Sequence, residues 1–360
     1  MPATLRRPAL ALLLLLAAPA AAQPVPRLTP QPAPTTALLQ AVAVTSADTA
    51  WLGGHRGAVL RTTDGGARWA LRPVPGADSL QFRDVEARDG RRATLLSIGH
   101  GAASRVYTTA DGGASWTLRF TNPDTAAFYD CLAQWPSGAG FAWSDAVGDT
   151  LPIVASADGI AWERVAGRLP AAQPGEGGFA ASGTCALAWG TRHGWIGTGN
   201  APVARVLRTD DGGHTWSAAA TPLVAATGAG IASLAFRDSL VGVALGGTIG
   251  GNATGPRAAR TRDGGRTWQV IAEPTFTGAV YGAAWAPTPW GWGLVAVGPG
   301  GASWSADDGD HWQPLDEGAY WSVGFGPTGR GWMVGPRGRV TRVDWERPDG
   351  VLREDAPDPR

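Results

Sequence analysis

The chain repeats the octapeptide Thr62-Thr63-Asp64-Gly65-Gly66-Ala67-Arg68-Trp69, and this repeat indicates the architecture. Copies of the pattern Ser/Thr-x-Asp-x-Gly-x-x-Trp occupy Thr109–Trp116, Thr209–Trp216, Thr261–Trp268 and Ser305–Trp312, a copy one residue shorter occupies Ser156–Trp162, and a remnant lies at Thr341–Trp345. The seven tryptophans recur at intervals of 33 to 54 residues, which is the period expected for four short strands that form one blade of a propeller. The sequence therefore predicts an all-β, seven-bladed β-propeller.

The residue types of the repeat suit a tight turn between two strands. The Asp carboxylate can accept backbone N–H bonds, the Ser or Thr hydroxyl can close the same turn, and Gly permits a positive φ. The Trp ring can then bury its surface against neighbouring strands. An element repeated in every blade lacks the asymmetry of a catalytic site. We therefore predict structural roles for Asp64, Trp69, Asp111, Trp116, Asp158, Trp162, Asp211, Trp216, Asp263, Trp268, Asp307 and Trp312.

The order of apolar runs predicts how the blades are built and how the ring closes. Two apolar runs precede each repeat, and the first should be the innermost strand of its blade. The last blade has its inner strands at Tyr320–Phe325 and Gly331–Val334 and its third near Val340–Trp345, with little chain left for an outer strand. The segment Val25–Thr29 resembles the segments that follow the other repeats. We therefore predict that the N-terminal strand closes the last blade and covers its edge.

The N-terminal segment predicts that the protein is exported. Residues 1–22 have the charged start, short apolar run and small-residue cleavage site of a signal peptide. We expect residues 23–38 to be a Pro-rich segment that supplies the closing strand, residues 39–347 to form the propeller and residues 348–360 to be a polar tail. The mature chain has no apolar stretch long enough to span a membrane. We expect the protein in the periplasm or outside the cell.

The bulk composition argues for a packed, turn-rich protein without a nucleic-acid partner. The chain has 52 Gly, 28 Pro and 18 Trp, which implies many turns and a large interior. Its 30 basic residues balance 30 acidic ones, whereas binding to nucleic acid normally requires a basic excess.

The repeat resembles the BNR or Asp-box propellers, which include the sialidases. Further segments, among them Phe128–Ala133, Gly175–Ser182 and Val295–Gly298, resemble photosystem II stability/assembly factor-like proteins and a bacterial branch of these often labelled "oxidoreductase". The resemblance covers roughly residues 39–345. It implies a role in assembly or stability of other proteins.

The residues favour a non-catalytic protein over an enzyme. A sialidase needs an arginine triad, a Tyr nucleophile with a Glu partner and an Asp acid/base. The N-terminal motif of sialidases is missing, and four tyrosines, at 107, 129, 281 and 320, are the candidates for a nucleophile. A two-carboxylate glycoside hydrolase needs a facing Asp/Glu pair. Gly246–Gly251 has the wrong spacing for a dinucleotide motif and no helix behind it. A glycoside hydrolase is therefore the enzyme class that ranks next, ahead of an oxidoreductase.

Cysteine and histidine give no sign of a metal or cofactor. Cys131 and Cys185 occupy matching positions in blades three and four, where they could form a disulfide or remain two separately buried thiols, and the reasoning favours the thiols. No spacing of His, Asp and Glu specifies a metal site, and we expect no cofactor.

We place the candidate binding site on the face where inner strands begin and where the loops between second and third strands project. The residues expected there are His55, Arg56, Arg83, Asp84, His100, Tyr129, Asp130, Ser144, Asp145, Tyr281, Tyr320, Trp321 and Arg337. Arg and aromatic residues are typical anchors of protein interfaces. A scaffold that binds a protein or peptide is the leading hypothesis, and a carbohydrate-binding or hydrolase-like propeller is the alternative. Three clustered arginines or two facing acids would favour the enzyme, and an open mixed surface would favour the scaffold.

Overall fold

The computed structural model describes residues 26–165, 169–251 and 255–345. The predicted signal peptide and polar tail lie outside these residues. Within them the chain forms 28 strands in seven four-stranded antiparallel sheets, with short 3₁₀ turns at Gly101–Ala103 and Pro336–Gly338. No helix of the described residues is long and apolar enough to cross a membrane.

The seven sheets are the blades of a propeller, and each blade is a simple meander. Blade one comprises β2 (Leu39–Val44), β3 (Ala50–Gly54), β4 (Val59–Thr62) and β5 (Ala70–Leu71); blade two β6 (Gln81–Ala87), β7 (Ala93–Ile98), β8 (Arg105–Thr109) and β9 (Thr117–Thr121); blade three β10 (Tyr129–Gln134), β11 (Gly140–Ser144), β12 (Ile153–Ser156) and β13 (Glu163–Val165). Blade four comprises β14 (Ala186–Trp189), β15 (His193–Gly197), β16 (Arg205–Thr209) and β17 (Ser217–Ala220); blade five β18 (Ala229–Phe236), β19 (Gly242–Thr248), β20 (Ala258–Thr261) and β21 (Gln269–Val270); blade six β22 (Gly282–Thr288), β23 (Gly291–Gly298), β24 (Gly301–Ser305) and β25 (Gln313–Asp316). Blade seven comprises β26 (Ser322–Phe325), β27 (Gly331–Val334), β28 (Val340–Asp344) and, from the other end of the chain, β1 (Arg27–Gln31).

The N-terminal strand closes the ring as predicted. Strand β1 pairs antiparallel with β28 and places Arg27 opposite Asp344 and Gln31 opposite Val340. The Gln31 side chain also joins blade seven to blade one, because its Oε1 accepts hydrogen bonds from the indole N–H groups of Trp332 (2.8 Å) and Trp69 (3.2 Å).

The repeated octapeptides form the predicted turns between third and fourth strands. In the first copy the Thr62 hydroxyl donates to Asp64 Oδ1 (2.9 Å) and accepts from the Gly66 N–H (2.9 Å), while the Arg68 N–H donates to the same carboxylate (2.9 Å). The shortened copy keeps this arrangement around Asp158. Each turn therefore satisfies its own polar groups, as expected of a structural element.

Tryptophans of neighbouring blades meet at the joints between them. Trp51 of blade one is fully buried and packs edge-to-face on Trp116 of blade two, and Trp332 of blade seven packs in the same way on Trp69 of blade one. Edge-to-face packing is a favoured aromatic geometry. Tryptophans of the second strands and of the turns thus contribute to the packing between neighbouring blades.

The expectation of two separate thiols is wrong, because Cys131 and Cys185 form a disulfide. Their Cα atoms are 5.9 Å apart, within the ~7 Å reach of a disulfide. The adjacent inner strands of blades three and four approach closely enough for the bridge, which a sequence alone does not reveal.

Candidate functional site

The two faces of the wheel carry different structures. Inner strands begin on one face, here called the upper face, together with the loops between second and third strands. The repeated turns lie on the opposite, lower face beside the hairpins between first and second strands, as the hydrogen bond from the Gly65 N–H to the Asp48 carbonyl shows (3.0 Å).

Residues 178–184, which precede the inner strand of blade four, cross the central channel and are called the plug. Its carbonyl oxygens at positions 180, 181 and 182 accept hydrogen bonds from Arg83 (2.8 Å), Gln40 (3.3 Å) and Ser322 (3.3 Å), which belong to blades two, one and seven. Its serine hydroxyl donates to the Tyr281 carbonyl beside blade six (2.6 Å). The plug is therefore tied to the walls on several sides and divides the channel into an upper and a lower cavity.

The plug contains small residues because the walls lie close to it. A Cβ atom added at Gly183 would lie 2.7 Å from Asp84 Oδ1, and one added at Gly178 would lie 2.8 Å from Asp130 Cγ. Gly183 also has a φ of +78°, in the left-handed region that favours glycine.

The upper cavity has a volume of about 420 Å³ and combines an apolar wall with a polar floor. The wall consists of Leu38, Phe128, Phe179, Ile249, Tyr281 and Trp321, and the floor includes Gln40, Arg83, Asp130 and Asp145. Concave sites with apolar walls and a few placed polar groups are typical ligand sites.

Two carboxyl groups share a hydrogen bond on this floor. Burial, reinforced by the charge and the hydrogen bond of Asp145, raises the pKa of Asp130 well above its ordinary value. Burial also raises the pKa of Asp145, although that carboxylate accepts the Gly178 N–H (2.9 Å). Asp130 Oδ2 has no ordinary donor within reach. Of the two carboxyl groups, Asp130 therefore binds its proton more tightly than Asp145 does.

Arg83 is held in place but keeps unused hydrogen-bonding capacity. Its guanidinium donates to the plug and to Gln81 Oε1 (2.8 Å), and its Nη2 lies 3.5 Å from His55 Nε2. Burial, followed by the charges of Arg83 and Arg56, lowers the pKa of His55. The Arg83 Nε and the Gln40 Oε1 are buried atoms without a partner in the described part of the chain.

The structure brings together five of the residues that the sequence placed at the site: Arg83, Asp130, Asp145, Tyr281 and Trp321 line the upper cavity. His55 lies against Arg83, and the His100 ring packs on Phe128. The sequence reasoning missed Gln40 and the plug. The run Gly175–Thr184 is unusually rich in small residues and could have indicated a close contact.

The other predicted residues have different positions. Asp84 is buried below the plug, beside the lower cavity, where it accepts the Leu132 N–H (2.6 Å). Tyr129, Ser144 and Tyr320 are buried. Burial raises the pKa of Tyr129 to about 12, which disfavours a role as nucleophile. Arg56 and Arg337 are exposed at turns, each with a positive φ, and do not line the upper cavity.

The lower cavity was not anticipated. It has a volume of about 240 Å³, and its lining includes the aromatic residues Trp189, Phe236, Trp285, Trp292 and Phe325. Trp189 and Trp292 each lie beside a Gly at the hairpin between first and second strands. Neither cavity holds a group of three or more His, Cys, Asp or Glu that could bind a metal, and neither does any other described part of the chain.

Comparisons with known proteins establish the fold. No protein-family model and no curated protein matches the chain. YCF48 from Cyanidioschyzon merolae is similar in structure with a TM-score of 0.57 at 17% identity, covering 88% of this chain and 98% of that one. YCF48 bound to D1 peptide gives 0.56 at 18% identity over 91% and 99% of the two chains. A streptogramin B lyase gives 0.62 at 12% identity over 89% and 98%. The expected similarity to photosystem II assembly factor-like proteins is thus confirmed at the level of the fold, and the chain is a seven-bladed β-propeller of that general architecture.

Proposed function

We propose that this chain is an exported, non-catalytic scaffold that binds a protein or peptide partner at the upper cavity and assists the assembly or stability of an envelope complex. The observation that carries the proposal is the cavity itself. Its aromatic wall lies beside the half-buried Arg83 guanidinium and the carboxyl groups of Asp130 and Asp145.

The residue types of the upper cavity suit recognition of a polypeptide. Trp, Tyr and Arg are the residues that most often dominate the binding energy of protein interfaces. Tyr281 and Trp321 pack edge-to-face with their ring centres 5.5 Å apart, so this part of the wall is already ordered. A preorganised wall reduces the entropy that binding costs.

The hydrolase alternative loses support from the same geometry. Glycoside hydrolases hold their two carboxyl groups about 5–5.5 Å or 6.5–9.5 Å apart, so that the substrate or a water fits between them. Asp130 and Asp145 are instead hydrogen-bonded to each other. Arg83 is the one arginine that lines this cavity in the described ranges, so a sialidase-like arginine triad is not formed.

Two further observations support export and peptide binding. The Cys131–Cys185 disulfide suits an oxidising compartment outside the cytoplasm. A solved propeller of the same architecture is YCF48 bound to D1 peptide. That complex is an example of a propeller of this architecture that binds a peptide.

Affinity capture from an envelope extract tests the proposal when the bait is compared with a matched variant. We expect the native chain to retain a partner that the double variant Arg83→Ala, Trp321→Ala loses. The control Trp290→Ala removes an exposed Trp from the lower face and should retain the partner. Equal retention by all three baits, followed by equal affinity for the purified partner, would reject the upper cavity as the binding site.

A further inference from the structure

Most tryptophans of the chain donate a hydrogen bond from the indole N–H group to another part of the protein, and a few do not. Of the 18 tryptophans, eleven donate an indole hydrogen bond, namely Trp51, Trp69, Trp116, Trp135, Trp162, Trp195, Trp216, Trp268, Trp285, Trp312 and Trp332. Trp143, Trp304 and Trp345 are buried without a partner. The remaining four are Trp189, Trp290, Trp292 and Trp321, which are not fully buried and whose indole groups have no described hydrogen bond. The first three of these lie on the lower face.

Two of these three tryptophans belong to the lining of the lower cavity. Trp189 ends the inner strand of blade four, and Trp292 lies in the second strand of blade six. Both line the cavity, together with Phe325 of blade seven. Trp290 is at the tip of the hairpin that leads to Trp292, and 46% of its surface is exposed. The cavity therefore offers flat apolar rings, each with a polar N–H at its edge.

Polar side chains are fixed beside these rings. The Arg237 guanidinium forms an ion pair with Asp308 and lies 5.2 Å from the centre of the Trp285 ring, which orients it at the cavity. Glu86 also lines the cavity with a carboxylate, whose two oxygens can accept several hydrogen bonds. A ligand in this cavity meets aromatic faces, N–H donors and oxygen acceptors together.

We propose that the lower cavity binds a saccharide ring. A pyranose has an apolar C–H face that can stack on an aromatic ring, and a rim of hydroxyl groups that both donate and accept hydrogen bonds. The volume of about 240 Å³ is below the ~300–1,000 Å³ of sites for drug-sized ligands, so the cavity suits a single ring. This site lies on the opposite face from the one in the proposed function and is independent of it.

Two other ligand classes use only part of these groups. An organic cation would use the aromatic faces and the acceptors, but it would leave the indole N–H groups without a hydrogen-bond partner. A proline-rich peptide would use the rings and the donors, but it prefers an elongated groove, whereas this cavity is a central pit lined by residues of six blades. The saccharide uses all three kinds of group.

A glycan array of defined oligosaccharides, probed with the full-length mature chain, tests the assignment, and titration calorimetry with the strongest ligand then measures affinity. We expect saturable binding that weakens at least tenfold in Trp189→Ala and in Trp292→Ala. Trp292→Phe, which keeps a stacking ring but loses the N–H, should weaken it less. The upper-face variant Trp321→Ala, which leaves the hydrogen bonds of the plug intact, should bind the glycan as the native chain does. Far-UV circular dichroism and thermal unfolding verify that each variant is folded.

Several results would overturn the proposal. These are an array without a bound glycan, binding that survives both Trp189→Ala and Trp292→Ala, or binding that the upper-face variant loses. Trp292-dependent binding of choline or of a proline decapeptide, without any glycan binding, would reassign the cavity to those ligand classes. Failure of partner capture would leave this test unaffected, because the two sites share no residue.

Discussion

Asp130 and Asp145 meet on the floor of the upper cavity, where burial and the neighbouring Asp145 carboxyl group raise the pKa of Asp130 well above its ordinary value. Asp130 comes from the inner strand of blade three, and Asp145 directly follows the second strand of that blade. Because Asp145 also accepts the Gly178 N–H, the pair anchors the plug as well as the floor.

The pair predicts a specific pH dependence of stability. A carboxyl group whose pKa is raised in the folded state binds its proton more tightly there than in the unfolded chain. Its contribution to stability is present at low pH and is lost as pH rises from the ordinary 3.8 towards the folded pKa. Asp130→Asn, whose amide can still donate to Asp145, should remove this term, which reaches about 1.4 kcal/mol per pH unit for one proton.

Urea unfolding of the native chain and of Asp130→Asn between pH 4 and 7 measures the effect. We expect the variant to gain stability relative to the native chain as pH rises. Asp130→Ala, which lacks the donor, serves as the control and should be less stable at every pH. Parallel curves for the native chain and Asp130→Asn would mean that Asp130 is ionised in the folded protein.

The repeated turns should respond to pH in the opposite direction. Burial alone would raise the pKa of Asp263, but hydrogen bonds from the Thr267 side chain and backbone outweigh it and lower the pKa to about 2. Stability from this carboxylate is therefore full above the ordinary pKa of 3.8 and is lost as pH falls towards 2. Asp263→Ala should cost about 1–2 kcal/mol at pH 7 and much less near pH 2. A cost that is equal at both pH values would argue against an ionised, hydrogen-bonded turn.

Closure of the ring depends on Gln31. Removing its amide leaves the indole N–H groups of Trp69 and Trp332 without their acceptor, and an unsatisfied buried donor costs about 1–3 kcal/mol. We expect Gln31→Ala to lower the unfolding free energy by about that amount, whereas Leu71→Ala, an exposed change on an outer strand, should have little effect.

Deletion of residues 23–36 should abolish cooperative unfolding. A deletion mutant that unfolds as one cooperative unit would show that the strand is dispensable.

The disulfide should contribute a measurable share of the stability. Cys131 and Cys185 are 54 residues apart in sequence, and in the chain-entropy model a loop of that length is worth about 4 kcal/mol, with measured values commonly ~2–4 kcal/mol. The double variant Cys131→Ala, Cys185→Ala should lose that stability and become insensitive to dithiothreitol. A native chain whose unfolding is unchanged by reduction would contradict the pairing.

Much of the fold could be predicted because each blade repeats its own local chemistry. The Asp–Gly turn and the Trp after it are encoded within eight residues, so seven blades follow from counting them. The closing strand could be predicted because Val25–Thr29 resembles segments elsewhere in the chain. These features depend on patterns among residues that are close together in the sequence.

The features that escaped prediction depend on contacts between distant segments. The Cys131–Cys185 distance is set by how two blades pack, and the partners of the plug come from the other six blades or the segments beside them. The sequence placed Asp84 beside Arg83 on the upper face, but the register of β6 shifts between Phe82 and Asp84, and Asp84 lies below the plug. Reasoning by topology identified the correct face for five residues but not the depth of each side chain.

The central claim is that a partner polypeptide occupies the upper cavity, and site-specific photo-crosslinking in the native envelope tests it most directly. A photoreactive amino acid replaces Trp321 at that cavity or Leu71 on the outer edge of blade one. We predict a covalent adduct with one partner from position 321 and none from position 71. An adduct from position 71 alone, or equal adducts from both positions, would contradict the assignment of the upper cavity as the binding site.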